Sequence, residues 1–235
     1  RELEMSLERE QSFNRNVGHE LRTPLAGIRT IIDVGLLYDK EADSLRKTLC
    51  DCSSVVGNME VLIGRLLMMA RLESQETSFG EEEVLLSETI DGCWRQFQER
   101  AATRRLTFEN RVPRGLACTS DRPSLEMIFT NLLENSVEYS DEDGRIWVTA
   151  GRDSRGAVHA TVANTGCRLD GAKVDLAFQQ FWRADDSRGG DGRHVGLGLP
   201  LVRRLARALG GDASAEVDAD GVFTVSVVLN GSSAP

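Results

Sequence analysis

Phe13-Asn14-Arg15-Asn16-Val17-Gly18-His19-Glu20-Leu21-Arg22-Thr23-Pro24-Leu25 sets a histidine and a carboxylate side by side in a helical pattern. Phe13, Val17, Leu21, Leu25, Ile28, Ile31 and Ile32 mark one apolar helical face. His19 lies off that face, and at about 100° per residue it projects away from the stripe into solvent. An exposed neutral imidazole is a usable nucleophile, and Glu20 beside it can polarise the ring or take up its proton. Pro24 removes a backbone donor one turn later, which predicts a kink near the histidine.

Moving outward, Leu45, Leu49, Cys52, Val56, Met59, Ile63, Leu66 and Ala70 repeat the steps of a bundle seam. Val55, Leu62 and Leu67 widen it, so two helical hairpins could close into a four-helix bundle, which implies a homodimer. An intramolecular hairpin packed on the rest of the chain is the other reading. Polar residues from Asp39 to Asp43 place the turn between the helices near Tyr38 to Asp43.

The formal charge of −9 offers no basic stripe for phosphate neutralisation, so nucleic acid is not an expected partner. Five cysteines (Cys50, Cys52, Cys93, Cys118, Cys167) lack zinc or disulfide spacing and suit reduced thiols in a cytosol. No apolar run of about 18 residues is present, so direct membrane insertion by this stretch is not expected. The charged helical opening, Arg1 to Leu7, reads as part of something longer.

The seam stops after Leu72. Residues 1–73 read as a helical hairpin, 74–80 as a polar linker and 81–235 as a second domain. In that domain, helices are expected over 85–102, 124–139 and 199–209, with strands at 106–110, 145–150, 157–163 and 222–228. Together these give an α+β multidomain chain, a helical hairpin followed by an α/β sandwich with a mixed or antiparallel sheet.

Three strings in this half carry chemistry. Asn131-Leu132-Leu133-Glu134-Asn135-Ser136-Val137-Glu138-Tyr139 puts Asn131, Asn135 and Glu138 on one helical face, and paired amides can hold a hydrated magnesium ion. Val162-Ala163-Asn164-Thr165-Gly166-Cys167-Arg168 leaves a strand into a turn. In Gly196-Leu197-Gly198-Leu199-Pro200, the glycines let backbone approach a phosphate and Pro200 suits a first helical turn, where anions bind. The charged, glycine-rich stretch from Trp182 to Arg193 reads as a mobile lid, with Arg183 and Arg188 as candidate phosphate contacts. His159 and His194 lack zinc spacing, and Asp141 to Gly144 reads as a turn.

His19-Glu20-Leu21-Arg22-Thr23-Pro24-Leu25 resembles the phospho-accepting H-box of sensor histidine kinases. The asparagine string resembles that family's N-box, the Asn164 string its first glycine box, Phe178-Gln179-Gln180-Phe181-Trp182-Arg183 its phenylalanine box, and Gly196 to Val202 its second glycine box. The resemblance implies a dimerising hairpin joined to a GHKL-type ATP-binding domain. It implies His19, Glu20 and Thr23 as catalytic residues, Thr23 matching the position that orients water for dephosphorylation. It further implies nucleotide contacts from Asn131, Asn135, Tyr139, Asn164, Gly166, Gly196, Leu197, Gly198 and Leu199. ATP and Mg2+ are the implied cofactors, with Asn135 as metal ligand and a response-regulator receiver domain as partner. The same resemblance places the stretch on the cytoplasmic side of an inner-membrane bacterial sensor. Asn164, Arg168, Glu138 and His194 depart from the family's pattern. These departures keep an alternative open, a non-catalytic or phosphatase-biased dimeric scaffold that binds a response regulator.

Overall fold

A computed structural model describes residues 2–38, 41–74, 78–183 and 195–229. Arg188, His194 and the rest of the expected lid from residue 184 onward lie outside the described residues. The chain forms two compact units, the first carrying the N-terminal helices as far as Met68 and the second beginning at Met69.

The first unit holds α1 (Glu2–Tyr38) and α2 (Ala42–Glu73). α1 continues through Pro24, whose missing N–H leaves the Glu20 carbonyl without its usual helical donor. Leu62 is buried, whereas Leu25 and Ile32 of the first stripe and Leu45, Leu49, Val56 and Ile63 of the seam are exposed, Leu49 at 69%. One hairpin covers only part of each stripe: several seam positions stand in solvent, and of the residues that widen the seam Leu62 is buried, Val55 half-buried and Leu67 exposed.

In the second unit the expected helix over 85–102 is three pieces: α3 (Leu86–Trp94), a 3-10 turn (Arg95–Phe97) and α4 (Gln98–Thr103). The tightened turn sets Trp94 and Phe97 both inward, and the Trp94 ring stacks on Phe108 at 4.0 Å. Three strands are absent from the sequence reading: Asp212–Val217 joins the main sheet, while β1 (Glu82–Leu85) and β3 (Ala117–Ser120) pair with one another in a small antiparallel ribbon. The main sheet is mixed, in the order β2 (Thr107–Asn110), β4 (Arg145–Arg152), β5 (Val158–Asn164), β7 (Phe223–Leu229), β6 (Asp212–Val217). Only β2 runs parallel to its neighbour β4.

Alternate residues Ile146, Val148, Ala160, Val162, Val225 and Val227 form the buried face. Against it pack α5 (Arg122–Tyr139) and α6 (Gly198–Ala208), through Leu125, Ile128, Phe129, Leu132, Leu133, Leu201, Val202 and Leu205. α5 begins where the Asp121 carboxylate accepts from Ser124 N at 2.9 Å, with Pro123 in the first turn. Burial raises this carboxyl's pKa, but hydrogen bonds from the Ser124 hydroxyl and the Gly80 and Ser124 amides outweigh it and hold the group below its ordinary value.

Candidate functional site

On α1, His19 is exposed and Glu20 half-buried. The Thr23 hydroxyl donates to the His19 carbonyl at 3.2 Å, a bond that ties this threonine to the turn carrying the histidine. Glu20 and Pro24 line a small cleft together with Asn58, Met59, Leu62 and Arg65 of α2. Glu20 thus borders the cleft between α1 and α2, while His19 next to it is exposed.

In the second unit, α5 presents Asn131 and Asn135 one turn apart. Asn131 is 4% exposed; its Nδ2 donates to the Met127 carbonyl at 2.7 Å, which turns Oδ1 toward the start of α6. A Cβ added at Gly198 would sit 3.3 Å from that oxygen, so a glycine there keeps the approach open. Gly196 has φ +72° and its carbonyl accepts from Phe181 N at 2.9 Å; a Cβ at Gly196 would lie 2.6 Å from the Trp182 carbonyl. This glycine turn is thus pressed onto the end of the phenylalanine string. Leu197 and Leu199 are buried and anchor the turn from beneath. Phe178 is buried as well, with the Arg203 guanidinium 3.6 Å from its ring centroid.

Asn164 ends β5 at 1% exposure. Its Nδ2 donates to the Thr165 carbonyl at 3.2 Å, leaving Oδ1 as a buried acceptor. Gly166, at φ +93°, lies so close to Asp141 that a Cβ would come within 2.4 Å of its amide nitrogen. Arg168 is exposed, with Nη2 3.8 Å from the Asp141 carboxylate. Tyr139 is partly exposed; burial of its hydroxyl end raises the phenol, Arg183 opposes, and Glu138 and Glu134 add to the rise.

Among the described residues, the buried side-chain polar atoms without a hydrogen-bond partner are Asn131 Oδ1, Asn164 Oδ1 and Gln180 Nε2. Such groups cost about 1–3 kcal/mol each when left unmade. Asn131 and Asn164 fall in strings that resembled nucleotide boxes and Gln180 in the phenylalanine string beside the glycine turn, so the cost is concentrated where a polar ligand would repay it. No group of three or more His, Cys, Asp or Glu suited to a metal ion occurs among the described residues. A cation here would take amide oxygens and the ligand's own anionic oxygens.

Sequence reasoning missed two partners. Glu138, placed on the face of Asn131 and Asn135 and out of line with the family's pattern, pairs with Arg100 Nη2 at 2.9 Å. Asp141 underlies the Gly166 turn, although its stretch read only as a connection. Neither had a signal in spacing, because each contact joins elements far apart in the chain. His159, which lacked zinc spacing in the sequence, is an exposed strand residue whose Nε2 meets Asp153 Oδ2 at 2.9 Å.

Residues 9–75 match the His Kinase A (phospho-acceptor) domain, and residues 120–232 match the histidine kinase-, DNA gyrase B-, and HSP90-like ATPase family. The chain belongs to the sensor histidine kinases. The chain is 33% identical over 233 residues to the sensor protein CutS of Streptomyces coelicolor, covering 97% of this chain and 54% of that protein. It is 26% identical over 227 residues to the signal transduction histidine-protein kinase BaeS of Escherichia coli, covering 97% and 48%. The chain spans about half the length of the curated relatives it matches. The Acinetobacter baumannii histidine kinase AdeS shares the fold, with a TM-score of 0.71 at 19% identity over 90% of this chain and 98% of that one.

Proposed function

We propose that this histidine kinase phosphorylates its own His19 from ATP and passes the phosphoryl group to an aspartate of a response-regulator receiver domain. The observation that carries the reading is the set of buried, unsatisfied amide atoms of Asn131, Asn164 and Gln180 in an ATPase-type fold. Asn164 Oδ1 suits the exocyclic amino group of adenine, since the bond from Nδ2 to Thr165 leaves only an acceptor facing the ligand. Asn131 lies at the glycine turn that opens α6, where backbone N–H groups and the helix start favour anionic oxygens. Asn135 supplies the amide oxygen for a magnesium ion, which when bound neutralises phosphate charge.

His19 acts as nucleophile: its ring nitrogen forms the bond to the γ-phosphorus as the bond to the β-phosphate oxygen breaks, and ADP leaves. Glu20 takes up the ring proton. Positioning and electrostatics supply most of the acceleration in such transfers. Thr23 is the residue for orienting the water that hydrolyses the aspartyl phosphate of the regulator, a separate reaction that releases inorganic phosphate. The exposed stripes of α1 and α2 suit a second copy of the hairpin, making a homodimeric four-helix bundle. Among the described residues no helix is long and apolar enough to cross a membrane, so an inner-membrane parent would need segments other than these.

The non-catalytic scaffold reading rested on Asn164, Arg168, Glu138 and His194. Asn164 keeps an acceptor, Arg168 points outward beside Asp141, and Glu138 is neutralised by Arg100. No observation favours the scaffold. The test is incorporation of γ-labelled phosphate from Mg·ATP by the protein and by His19→Ala. Acid-labile, alkali-stable label absent from His19→Ala is expected. A folded dimer that takes up no label would overturn the reading.

A further inference from the structure

α5 carries Asn131, Asn135 and Tyr139, yet its C-terminal turn lacks the usual means of satisfying its last carbonyls. Its C-cap, Ser140, is extended rather than left-handed, and no basic residue occupies the last turn. The missing donors come from another element. Arg104, which caps α4, directs Nη1 to the carbonyls of Val137 and Glu138 and Nη2 to that of Ser140, the Glu138 bond being 2.7 Å. One half-buried guanidinium thus supplies three charge-assisted hydrogen bonds and a cation at the negative end of the helix.

The grip extends past the helix. The Arg104 carbonyl accepts from Asp143 N at 3.1 Å, so side chain and backbone of one residue hold both ends of the corner 140–143. That corner is the surface on which the first glycine turn rests. A Cβ at Gly166 would meet Asp141 N at 2.4 Å, and one at Gly144 would meet the Asp141 carbonyl at 2.7 Å and Thr165 Oγ1 at 2.9 Å. Thr165 is in turn laced to the next strand, its amide donating to the Arg145 carbonyl and its hydroxyl accepting from Arg145 N, both at 3.0 Å.

We propose that Arg104 is a positioning residue of the nucleotide site. It fixes the C-terminal turn of α5, with Tyr139, in register with the Asn164–Gly166 turn, by clamping the corner that touches both. It touches no nucleotide itself. A set of interactions that aligns binding groups before the ligand arrives contributes to affinity by lowering the ordering cost. The effect belongs in nucleotide binding rather than in phosphoryl transfer at saturation. Neighbouring Arg105 pairs with Asp143 and Glu142 on the outside of the corner, where all three side chains are mostly in solvent and screening leaves little for this alignment.

This inference rests on the nucleotide-site reading, and the experiment separates the two. The full chain, Arg104→Gln, Arg104→Lys and Arg105→Gln are titrated with a fluorescent ATP analogue, and autophosphorylation is measured across ATP concentrations. Thermal midpoints are recorded without ligand. Arg104→Gln is expected to raise the dissociation constant and KM about tenfold, which is about 1.4 kcal/mol, with kcat within about twofold. Arg104→Lys, which keeps the charge and some of the bonds, is expected to recover part of the affinity, and Arg105→Gln to bind like the unaltered protein. Should Arg104→Gln not fold, Arg104→Lys carries the test with an expected weakening of about threefold. A folded Arg104 variant that loses thermal stability while binding nucleotide unchanged would overturn the positioning role, as would a loss confined to kcat. Failure of the unaltered protein to bind the analogue would instead remove the nucleotide-site reading on which this one stands.

Discussion

In the hairpin, Leu36, Leu37 and Leu49 are 78%, 70% and 69% exposed, while in the second unit Leu125, Ile128, Phe129 and Leu133 are fully buried and the unsatisfied groups are amides. The two units thus call for different partners. A hairpin with uncovered leucines is completed by apolar surface, and the surface of matching pattern nearest to hand is a second copy of itself. A closed sandwich with buried, unpartnered amide atoms is completed by a small polar ligand with complementary donors and acceptors. The proposed transfer to His19 needs both, since that residue lies in one unit and the candidate nucleotide groups in the other.

Charging the hairpin's exposed seam should have the largest effect. Leu49→Lys combined with Val56→Lys removes burial worth about 1.5–3 kcal/mol per side chain. Dimer dissociation is expected to rise by about a hundredfold or more, read by sedimentation velocity, while nucleotide binding is kept. Dimers of undiminished stability would move the interface elsewhere.

Substitution in the polar set should act on the other side of the comparison. Asn164→Leu removes the buried acceptor and is expected to weaken ATP about tenfold, whereas Asn164→Asp restores a charged acceptor and should tighten it by a similar factor. Calorimetric titration checks both, with the oligomeric state unaltered. Equal affinity in all three proteins would remove Asn164 from the ligand.

Asp121→Ala, which deletes the cap of α5, should cost the second unit about 1 kcal/mol in denaturant unfolding and leave the hairpin's association unaffected. The same carboxylate gives a pH signature. Its folded pKa is depressed below the ordinary 3.8, so its stabilisation is present above that value and lost as the pH falls through the folded pKa. Acid titration of unfolding should therefore show a flatter curve in Asp121→Asn below about pH 4. The smallest effect is expected from Glu138→Gln. Its pair with Arg100 is partly exposed, so stability should change by less than about 1 kcal/mol and ATP affinity by less than about twofold.

The hairpin was legible in the sequence because both of its helices carry long periodic stripes and its turn is polar. Exposure of the seam in one copy follows from the same width that made two hairpins the expected assembly. The second unit was legible in its longer elements, α5, α6, β4, β5 and β7. Its short strands were not. Glu82–Leu85 and Ala117–Ser120 carry too few residues to show alternation, and Asp212–Val217 presents Ala213 and Ala215 inward, side chains too small to register as an apolar face. At the site, the asparagines and glycines announced themselves by type and spacing. Arg100, Arg104 and Asp141 did not, because an arginine that caps a distant helix and an aspartate beneath a glycine look like ordinary surface charges until the chain is folded.

Completion of the second unit by an adenine nucleotide is tested most directly by calorimetric titration of the unaltered chain with Mg·ATP, alongside Mg·GTP. Binding of one ATP per chain, with GTP much weaker because Asn164 offers its carbonyl-bearing base no donor, is the predicted result. No heat from either nucleotide at millimolar concentration, from protein whose sedimentation shows a folded dimer, would contradict it.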